Sequence, residues 1–264
     1  MTAIAVTIAG SDSGGGAGIQ ADLKTFAALG VYGASVVTAL TAQNTNGVFA
    51  IHAVPADFIA AQMDAVFSDL EVGAVKIGML GAAAAIDAVA AGLDRHGARN
   101  VVLDPVLAAT SGEKLLAPSA IGQLQALISH TRIITPNLPE AAALLDVPVA
   151  RSENDMRLQA QTLLALGPGA VLIKGGHGSG PESVDLLVEA ESCERLAAPR
   201  IATGNSHGTG CTLSSAIAAG LAKGLSLAQA VREAKAYVSA AIAAADHLQI
   251  GSGRGPLHHF WQGW

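Results

Sequence analysis

Short apolar segments alternate with longer segments of helical spacing along most of the chain. The short segments are too short for buried helices and are rich in Val and Ile, so they are predicted to be strands. Strands that alternate with helices usually lie parallel and are joined by right-handed crossovers. The pattern therefore predicts an α/β fold with a central, mostly parallel sheet and helices on both faces. The predicted strands are Ile4–Ala9, Ala34–Leu40, Ala74–Ile77, Val101–Leu103, Ile133–Thr135 and Val171–Ile173.

Helices are predicted between and after these strands, where the apolar spacing becomes helical. Two of them begin with Pro, which the first helical turn tolerates, and another stops at a Gly. A hairpin is predicted before the last two helices, because two β-type segments flank a polar turn. The predicted helices are Ile19–Leu29, Pro55–Leu70, Pro118–Ile128, Gly210–Ala222 and Leu225–His247, and the hairpin strands are Val184–Glu189 and Glu194–Ala197.

The composition suits a sheet that is covered on both faces. Of the 264 residues, 51% are hydrophobic and only 14% are charged, which indicates a large buried core. No linker is evident between the predicted elements. One α/β domain over residues 1–264 is therefore predicted.

Charge and segment types argue against several classes of protein. The formal net charge of -6 argues against a surface built for a nucleic-acid backbone. No apolar run reaches the roughly 18 residues of a membrane helix, and Met1–Ala9 lacks the basic region of a secretion signal. The two cysteines, Cys193 and Cys211, fit a reducing compartment better than a disulfide framework. The protein is expected to be cytoplasmic, without a nucleic-acid or membrane partner.

A glycine-rich loop, residues 10–18, follows the first predicted strand and precedes a helix. Its glycines allow close approach to a ligand and a helix N-terminus favours an anion, but such a loop is as often only a tight turn. A dinucleotide site fits poorly, because the acidic residue expected about 20 residues further on is not evident. Asp22, one turn into the helix, either complements the helix dipole or hydrogen-bonds a substrate hydroxyl.

The second glycine-rich segment, His207–Thr212, carries the strongest functional signal. Glycines bracket Thr209, and a helix follows. The peptide N–H groups of Gly208, Thr209, Gly210 and Cys211 are predicted to converge on one point. Such a nest at a helix N-terminus can stabilise the charge of a transferring phosphoryl group without a charged side chain.

Cys211 stands at the start of that predicted helix. A thiol at the positive end of a helix has a pKa below its free value of about 8.5, so Cys211 is predicted to accept the proton of an attacking hydroxyl. The alternative is a small, inert cysteine that fills the first turn. Cys193, in a polar segment, is interpreted as inert.

Polar side chains follow several predicted strands, at the edge where open sheets bind ligands. Gln43 offers a donor beside an acceptor, which matches an amino group beside a ring nitrogen, as in an adenine edge or a 4-aminopyrimidine. Asp104 and Glu140 are predicted to hold Mg²⁺ together, and Lys174, which precedes two glycines, is predicted to meet phosphates. The alternatives are a loop cap for Asp104, a helix-dipole partner for Glu140 and a solvated Lys174.

Two histidines lie near these segments. His177 follows Lys174 and its glycines, and His207 begins the second glycine-rich segment. Each either contacts phosphate or caps a loop, and the residues alone leave both roles open.

Several motifs, in order, resemble the hydroxymethylpyrimidine/phosphomethylpyrimidine kinases of thiamine biosynthesis, in the ribokinase-like superfamily. HGTGC, continued by TLSSAIAAGLA, is similar to their anion-hole and helix signature. Many superfamily members use Asp as base, whereas this family has Cys, as here. The resemblance covers nearly the whole chain. The other motifs are AGSDSGGGAGIQADLKTF near Gly10, TAQNTNGV near Gln43, KIGML at Lys76, LDPV at Asp104, TPNLPEA at Thr135, IKGGH at Lys174 and GPLHHF near the C-terminus.

The resemblance implies transfer of the γ-phosphoryl of MgATP to 4-amino-5-hydroxymethyl-2-methylpyrimidine, and a second transfer onto the monophosphate. It implies Cys211 as base, the amides of residues 208–211 and Lys174 as stabilising groups, and a homodimer. The family commonly has Thr where this chain has Ser206, which keeps the hydroxyl. The predicted substrate contacts are Gly10, Asp22, Gln43, Met79 and Val106, the predicted ATP contacts are Asn137, Lys174, Ser206 and His207, and the predicted Mg²⁺ ligands are Asp104 and Glu140.

Three alternatives remain at this point. A pyridoxal kinase would place another ring in the same pocket, and ordinary core packing would equally explain Met79 and Val106. A nucleotide-dependent oxidoreductase would use the first glycine loop, against which the missing acidic residue counts. A ligand-binding protein without activity would not need Cys211, Lys174, Asp104 and Glu140 together.

Overall fold

The computed structural model describes residues 1–108, 112–113, 115–176 and 180–263. In these residues the strands are β1 (Ile4–Ala9), β2 (Tyr32–Val37), β3 (Ala39–Asn44), β4 (Gly47–Ala53), β5 (Ala74–Ile77), β6 (Val101–Leu103), β7 (Ile133–Ile134), β8 (Val171–Lys174), β9 (Glu182–Val188) and β10 (Cys193–Pro199). The main sheet has the order β10-β9-β8-β7-β6-β5-β1-β2. The strands from β8 to β2 in that order are parallel. β9 extends the sheet antiparallel to β8, and β10 is antiparallel to β9.

Helices cover both faces of the main sheet. They are α1 (Gly18–Ala28), α2 (Ala56–Phe67), α3 (Ala83–Arg95), α4 (Ile121–Ile128), α5 (Leu138–Leu145), α6 (Glu153–Leu164), α7 (Thr209–Ala222) and α8 (Leu227–Ala243), with 3₁₀ turns at Pro118–Ala120 and Ala245–His247. Helices α1, α7 and α8 lie on one face and α2 to α6 on the other. The two faces share strands, so Val102 of β6 enters one core while its neighbours Val101 and Leu103 enter the other. The predicted α/β fold is confirmed.

The predicted strand Ala34–Leu40 is wrong in its extent. The structure divides it between β2 and β3, because the amide of Thr38 donates to Ala9 O while its carbonyl accepts from Val54. At that residue the chain leaves the main sheet, and β3 pairs antiparallel with β4. The hairpin β3–β4 was not anticipated.

Other differences concern elements that the helical and strand patterns did not single out. Helices α3, α5 and α6 belong to this group. The predicted hairpin after Lys174 is present as β9–β10: β9 begins and ends slightly earlier than predicted, and β10 is slightly longer at both ends. The described helices include none that is long and apolar enough to cross a bilayer.

Candidate active site

The carboxyl ends of the parallel strands form the edge at which the predicted site residues meet. Lys174 ends β8, Asp104 follows β6, and the N-terminus of α7 lies beside both. A methyl group placed on Gly210 would lie 3.2 Å from Lys174 Nζ and 3.3 Å from Asp104 Oδ2. Asp104 and Lys174 lie close together because only one strand separates β6 from β8 in the sheet.

Helix α7 begins at a residue that only Gly can occupy. Gly208 has φ +82, a backbone conformation that L side chains rarely adopt. A Cβ at this position would lie 1.9 Å from Gly16 O, in the first glycine loop. The start of α7 therefore fits against loop 10–18 only because this position has no side chain.

The first turn of α7 supplies three of the four predicted amide donors. Thr209 N already donates to Ser206 O at 3.3 Å, and Thr209 Oγ1 donates to the same carbonyl at 2.7 Å. In the described part of the chain, no backbone carbonyl accepts a hydrogen bond from the amides of Gly208, Gly210 or Cys211. The predicted role of Thr209 in the nest is thus weakened, whereas the other three amides are available to an anion.

Cys211 lies in that first turn and is partly buried. Burial raises its pKa to about 11, and the nearby ammonium of Lys76 opposes this only in part. The expectation of a lowered pKa was wrong, because desolvation of the thiolate outweighs the favourable charges around it. At neutral pH the ligand-free protein therefore holds Cys211 as a thiol.

Lys174 is held between the two predicted metal ligands. Its ammonium donates to Asp104 Oδ1 at 2.7 Å and lies 3.9 Å from Glu140 Oε2. Thr135 Oγ1 also donates to Asp104, at 3.3 Å. Burial lowers the pKa of Lys174, but the charges of Asp104 and Glu140 outweigh it and raise the pKa above its ordinary value. Lys174 is a charged, restrained cation beside the α7 amides, and the solvated alternative is excluded.

Glu140 has a structural role at the start of α5. Its carboxylate accepts from Asn137 N at 2.7 Å, and Asn137 Oδ1 accepts from Glu140 N at 2.9 Å, which is a capping box. Burial raises the pKa of Glu140 to about 7; Lys174 lowers it and Asp104 raises it. Glu140 thus lies in the first turn of α5, as the helix-dipole alternative expects, and the capping box occupies the side-chain oxygen of Asn137, a predicted ATP contact.

The carboxylate pair is compatible with Mg²⁺. Among the described residues no group of three or more His, Cys, Asp or Glu side chains could hold a metal. Mg²⁺, however, usually takes only one or two carboxylates, with nucleotide and water oxygens completing its shell. Burial is the main cause of the raised pKa of Glu140, and the charge of Asp104 adds to it; a divalent cation between the two carboxylates would favour the ionised form of Glu140.

Asp22 does not reach the pocket. Both of its carboxylate oxygens bind Lys76 Nζ, at 2.7 and 2.8 Å, and accept from Thr7 Oγ1 and Ser215 Oγ at 2.6 Å. Asp22 and Lys76 are both fully buried. A direct substrate contact by Asp22 is therefore contradicted, because four hydrogen bonds from three side chains and complete burial leave the carboxylate no free surface. Its role is to hold Lys76 between the sheet, α1 and α7.

The first glycine loop is folded around its own carboxylate. Asp12 accepts from the amides of Gly14, Gly16 and Ala17 at 2.8 to 3.1 Å and is almost fully buried. These donors are the ones that would otherwise bind a phosphate. The loop is occupied internally, which removes the basis for a dinucleotide site and for the oxidoreductase alternative.

His207 points toward this loop and away from Lys174. Its Nε2 lies 2.9 Å from Asp12 Oδ2 and 3.4 Å from Gln43 Nε2. The predicted phosphate contact through the His207 ring is therefore contradicted, because Asp12 already engages the ring. His177 lies outside the described residues.

The remaining predicted substrate contacts lie at one place. Gly10 donates to Met79 O at 3.1 Å, and a methyl group on Gly10 would lie 2.1 Å from Met79 Cε. Gln43 is the penultimate residue of β3 and is partly buried, and Val106, two residues after Asp104, is also partly buried. These positions are compatible with a pocket near the ends of β1, β5 and β6, and their contacts with substrate stay predictions.

Three residues in the site were not singled out from the sequence. Asp12 organises the first loop, and Lys76 and Ser215 complete the buried network of Asp22. A lysine inside the apolar strand β5 is a usable signal, because a charge in a doubly covered strand requires a buried partner. Asp12, followed by glycines, has the pattern of a side chain that caps its own loop.

The covered parallel sheet, with a lysine and two carboxylates at the N-terminus of a glycine-started helix, is the architecture of a ribokinase-like small-molecule kinase. The phosphomethylpyrimidine kinase family model matches residues 12–258. The chain is 59% identical over 265 aligned positions to hydroxymethylpyrimidine/phosphomethylpyrimidine kinase of Rhizobium meliloti, covering 100% of this chain and 99% of that protein. The chain belongs to the phosphomethylpyrimidine kinase family.

Solved structures agree with this assignment. Phosphomethylpyrimidine kinase from Clostridium difficile matches with a TM-score of 0.81 and 44% identity, over 90% of this chain and 99% of that chain. An ADP complex of Bacillus subtilis pyridoxal kinase matches with a TM-score of 0.91 and 36% identity, over 98% of each chain. The fold is therefore shared with a phosphomethylpyrimidine kinase and with a pyridoxal kinase. The family model and the R. meliloti relative both carry the name of the pyrimidine kinase.

Proposed function

We propose that this protein transfers the γ-phosphoryl group of ATP to the hydroxymethyl group of 4-amino-5-hydroxymethyl-2-methylpyrimidine. A second transfer onto the monophosphate then gives the diphosphate for thiamine biosynthesis. The observation that carries the proposal is the first turn of α7, whose amides at Gly208, Gly210 and Cys211 lack a backbone acceptor among the described residues and adjoin Lys174. The names of the family and of the R. meliloti relative support the acceptor.

The amides and Lys174 stabilise the transferring group. In phosphoryl transfer the charge spreads over the equatorial oxygens, and catalysis consists mainly of positioning and charge stabilisation. The α7 amides provide fixed donors, and Lys174 can exchange its bond with Asp104 for a phosphate oxygen. The ATP contacts of Asn137 and Ser206 belong to the same proposal.

The proton of the attacking hydroxyl passes to Cys211. As the hydroxyl oxygen bonds to the γ-phosphorus, the bond from that phosphorus to the ADP oxygen breaks and the thiolate of Cys211 takes the proton. Because the pKa of Cys211 is about 11 in the ligand-free protein, only a small fraction is thiolate at neutral pH. The rate is therefore expected to rise with pH through the neutral range.

Mg²⁺ bound with ATP would neutralise charge on the phosphates, and Asp104 and Glu140 are the residues that would hold it. Glu140 would have to be ionised for this. Its raised pKa means that cation binding near neutral pH releases a proton.

The test is a steady-state assay of ADP release with ATP, Mg²⁺ and the hydroxymethylpyrimidine, with mass spectrometry of the products. We expect ADP release that depends on the pyrimidine, and successive mono- and diphosphate products. Release that does not depend on the pyrimidine, or phosphorylation of pyridoxal with a higher kcat/KM, would overturn the proposal.

We also propose a homodimer, a single domain and a cytoplasmic location. The hairpin β3–β4 exposes Leu40, Phe49 and Ile51, which suits a surface that pairs with another copy. The two helical layers pack on one sheet, and both cysteines are free thiols, as a reducing compartment allows. Light scattering of wild type and Phe49→Asp tests the dimer: a wild-type monomer would exclude it.

A further inference from the structure

The side chains of Asp12, His207 and Gln43 form a connected line between the first glycine loop and the hairpin β3–β4. His207 Nε2 lies 2.9 Å from Asp12 Oδ2 and 3.4 Å from Gln43 Nε2. Both members of the ion pair are largely buried, with side chains 14% and 3% exposed for His207 and Asp12. The line ends on Gln43, the residue predicted from the sequence to contact the amino group and ring nitrogen of the pyrimidine.

The His207 ring is held in place from several sides. Its backbone amide donates to Gly255 O at 3.0 Å, and a methyl group on Gly16 would lie 2.5 Å from His207 Cδ2. The ring therefore has little freedom to turn away from Asp12. A flexible side chain at this position would not impose an orientation on its neighbour.

Asp12 determines which nitrogen of His207 carries a proton. Burial raises the pKa of Asp12, but hydrogen bonds from His207, Ala17 and Gly14 outweigh it and hold the pKa below its usual value. A charged carboxylate with three backbone donors accepts hydrogen bonds and donates none. His207 Nε2 must therefore carry the proton and donate it to Asp12.

A protonated Nε2 cannot accept from Gln43. The NH₂ group of Gln43 and the Nε2–H of His207 would then meet as two donors at 3.4 Å. The two ends of a Gln amide have the same shape, so the surrounding hydrogen bonds decide which end faces which neighbour. The reversed amide removes the conflict between two donors, because Gln43 Oε1 then faces the Nε2–H of His207 and shares that proton, as the more distant acceptor at 3.4 Å, with Asp12 at 2.9 Å.

Thr41 fits the reversed amide as well. Its hydroxyl donates to Ser11 O at 2.9 Å, and the other end of the Gln43 amide lies 3.2 Å from Thr41 Oγ1. A hydroxyl has one proton, so once Thr41 donates to Ser11 its oxygen is free to accept from the Gln43 NH₂. Every donor in the line then has an acceptor.

We propose that His207, oriented by Asp12, is a positioning residue that fixes the Gln43 amide with its oxygen toward His207 and its NH₂ toward Thr41, and so sets the choice of substrate ring. The inference rests on the proposed function, because it assumes that Gln43 reads the acceptor substrate. Each end of the fixed Gln43 amide keeps one hydrogen-bonding position for a ligand: the NH₂ offers a donor and Oε1 offers an acceptor.

A fixed donor–acceptor order discriminates between rings. The 4-amino group and adjacent ring nitrogen of the pyrimidine present a donor beside an acceptor, which complement the acceptor and the donor of the Gln43 amide. The 3-oxygen and 4-aldehyde oxygen of pyridoxal present two acceptors side by side, of which the fixed amide satisfies one. A Gln43 free to reverse would lose this preference.

The test compares kcat and KM for the hydroxymethylpyrimidine and for pyridoxal in wild type, His207→Phe and His207→Gln. Phe keeps a flat ring without a donor, whereas the Nε2 of Gln can donate at nearly the place of the His Nε2. We expect His207→Phe to raise KM for the pyrimidine on the order of 10-fold, the value of one net hydrogen bond, with the pyridoxal constants little changed. His207→Gln should restore most of the wild-type ratio of the two kcat/KM values.

Controls separate this inference from the function on which it rests. Gln43→Leu should abolish the preference, and His130→Phe, which alters a histidine paired with Asp94 away from the site, should leave it unchanged. A wild type that prefers pyridoxal contradicts the proposed function. A pyrimidine-specific wild type whose His207→Phe variant keeps the same ratio contradicts only the role of His207.

A spectroscopic measurement keeps the proposal testable if His207→Phe does not fold. In ¹⁵N-histidine-labelled wild type, Nε2 of His207 should show a directly bonded proton at neutral pH. An unprotonated Nε2 would overturn the proposal, because the orientation of Gln43 follows from that proton.

Discussion

The two glycine-rich loops of this protein look alike in sequence and serve opposite purposes. Loop 10–18 precedes α1, and segment 207–211 precedes α7. In the first loop the amides of Gly14, Gly16 and Ala17 are occupied by the carboxylate of Asp12. In the second, the amides of Gly208, Gly210 and Cys211 have no backbone acceptor among the described residues.

The difference shows that glycine content alone does not define an anion site. An amide nest binds whichever anion reaches it, and a carboxylate within the same loop has the advantage of proximity. The first loop uses its own anion to hold a fixed shape, against which Gly208 packs. The second loop can then present its donors to a ligand.

The largest effect is expected where the two loops touch. Gly208→Ala places a Cβ 1.9 Å from Gly16 O at φ +82, so it should cost on the order of 4 kcal/mol and abolish activity. Gly224→Ala is the control, because Gly224 has φ +84 with no atom within 4 Å of a Cβ and should cost about 1 kcal/mol. Urea unfolding and the ADP assay measure both, and equal losses of stability would show that contact between the loops is unimportant.

Cys211, at the start of α7, has no counterpart in loop 10–18. Cys211→Ala should lower kcat by about 10²–10⁴-fold, and the rise of wild-type activity between about pH 7 and 9 should disappear. That rise is expected because a base with a pKa of about 11 gains thiolate as pH increases. Cys193→Ala, at an exposed cysteine, should leave rate and pH profile unchanged. Near-wild-type turnover by Cys211→Ala would remove the base assignment.

Lys174 is compared with a second lysine in a similar setting. Lys174–Asp104 and Lys235–Asp185 are both 2.7 Å ion pairs, with lysine side chains 13% and 14% exposed. Either Lys→Met change leaves a buried carboxylate unpaired and should cost about 3–5 kcal/mol. Only Lys174→Met should also lower kcat, by about 10²–10³-fold. If kcat falls equally in both variants, the loss reflects stability alone.

Glu140 lies near the α7 loop, 3.9 Å from Lys174, and its pKa predicts how the free energy of unfolding depends on pH. A folded-state pKa of about 7, above the ordinary 4.5, means that the folded protein binds a proton more tightly than the unfolded chain. Protonated Glu140 therefore contributes on the order of 3 kcal/mol to the free energy of unfolding. This contribution is complete below pH 4.5 and is lost as pH rises through 7.

Glu140→Gln should remove this dependence while keeping the capping box, since Gln serves at the same helix position. The difference in unfolding free energy between variant and wild type should grow in favour of the variant from pH 5 to 8. A constant difference would show that Glu140 is ionised throughout, and Mg²⁺ with ATP should then shift nothing in that range.

The smallest effect is expected in the first loop. Asp12→Asn weakens charge-assisted bonds to three amides and should cost about 2 kcal/mol at pH 7. Because the pKa of Asp12 is lowered, its contribution is present above pH 3.8 and is lost as pH falls below that value. Asp155→Asn, at the exposed capping box of α6, should cost clearly less than Asp12→Asn. Equal costs for Asp12→Asn and Asp155→Asn would mean that burial of the first loop adds nothing.

Much of the candidate site was visible in the sequence because its parts are local. The Gly-Thr-Gly-Cys start of α7, Lys174 at the end of β8 and Asp104 directly after β6 each adjoin an element that the sequence pattern predicts. The order of parallel strands then brings their carboxyl ends to one edge. The errors concern environment: the pKa of Cys211, the burial of Asp22 and the partner of His207 depend on residues distant in the chain.

By itself the sequence determined the α/β class, the positions of most strands and the two glycine-rich helix starts, because periodicity and backbone freedom are local properties. Only the tertiary structure decided which glycine loop is filled, since Asp12 and the α7 amides acquire their surroundings through packing. It also decided that Lys76 neutralises Asp22 and that burial opposes ionisation of Cys211. Desolvation and charge pairing act between residues that only folding brings together.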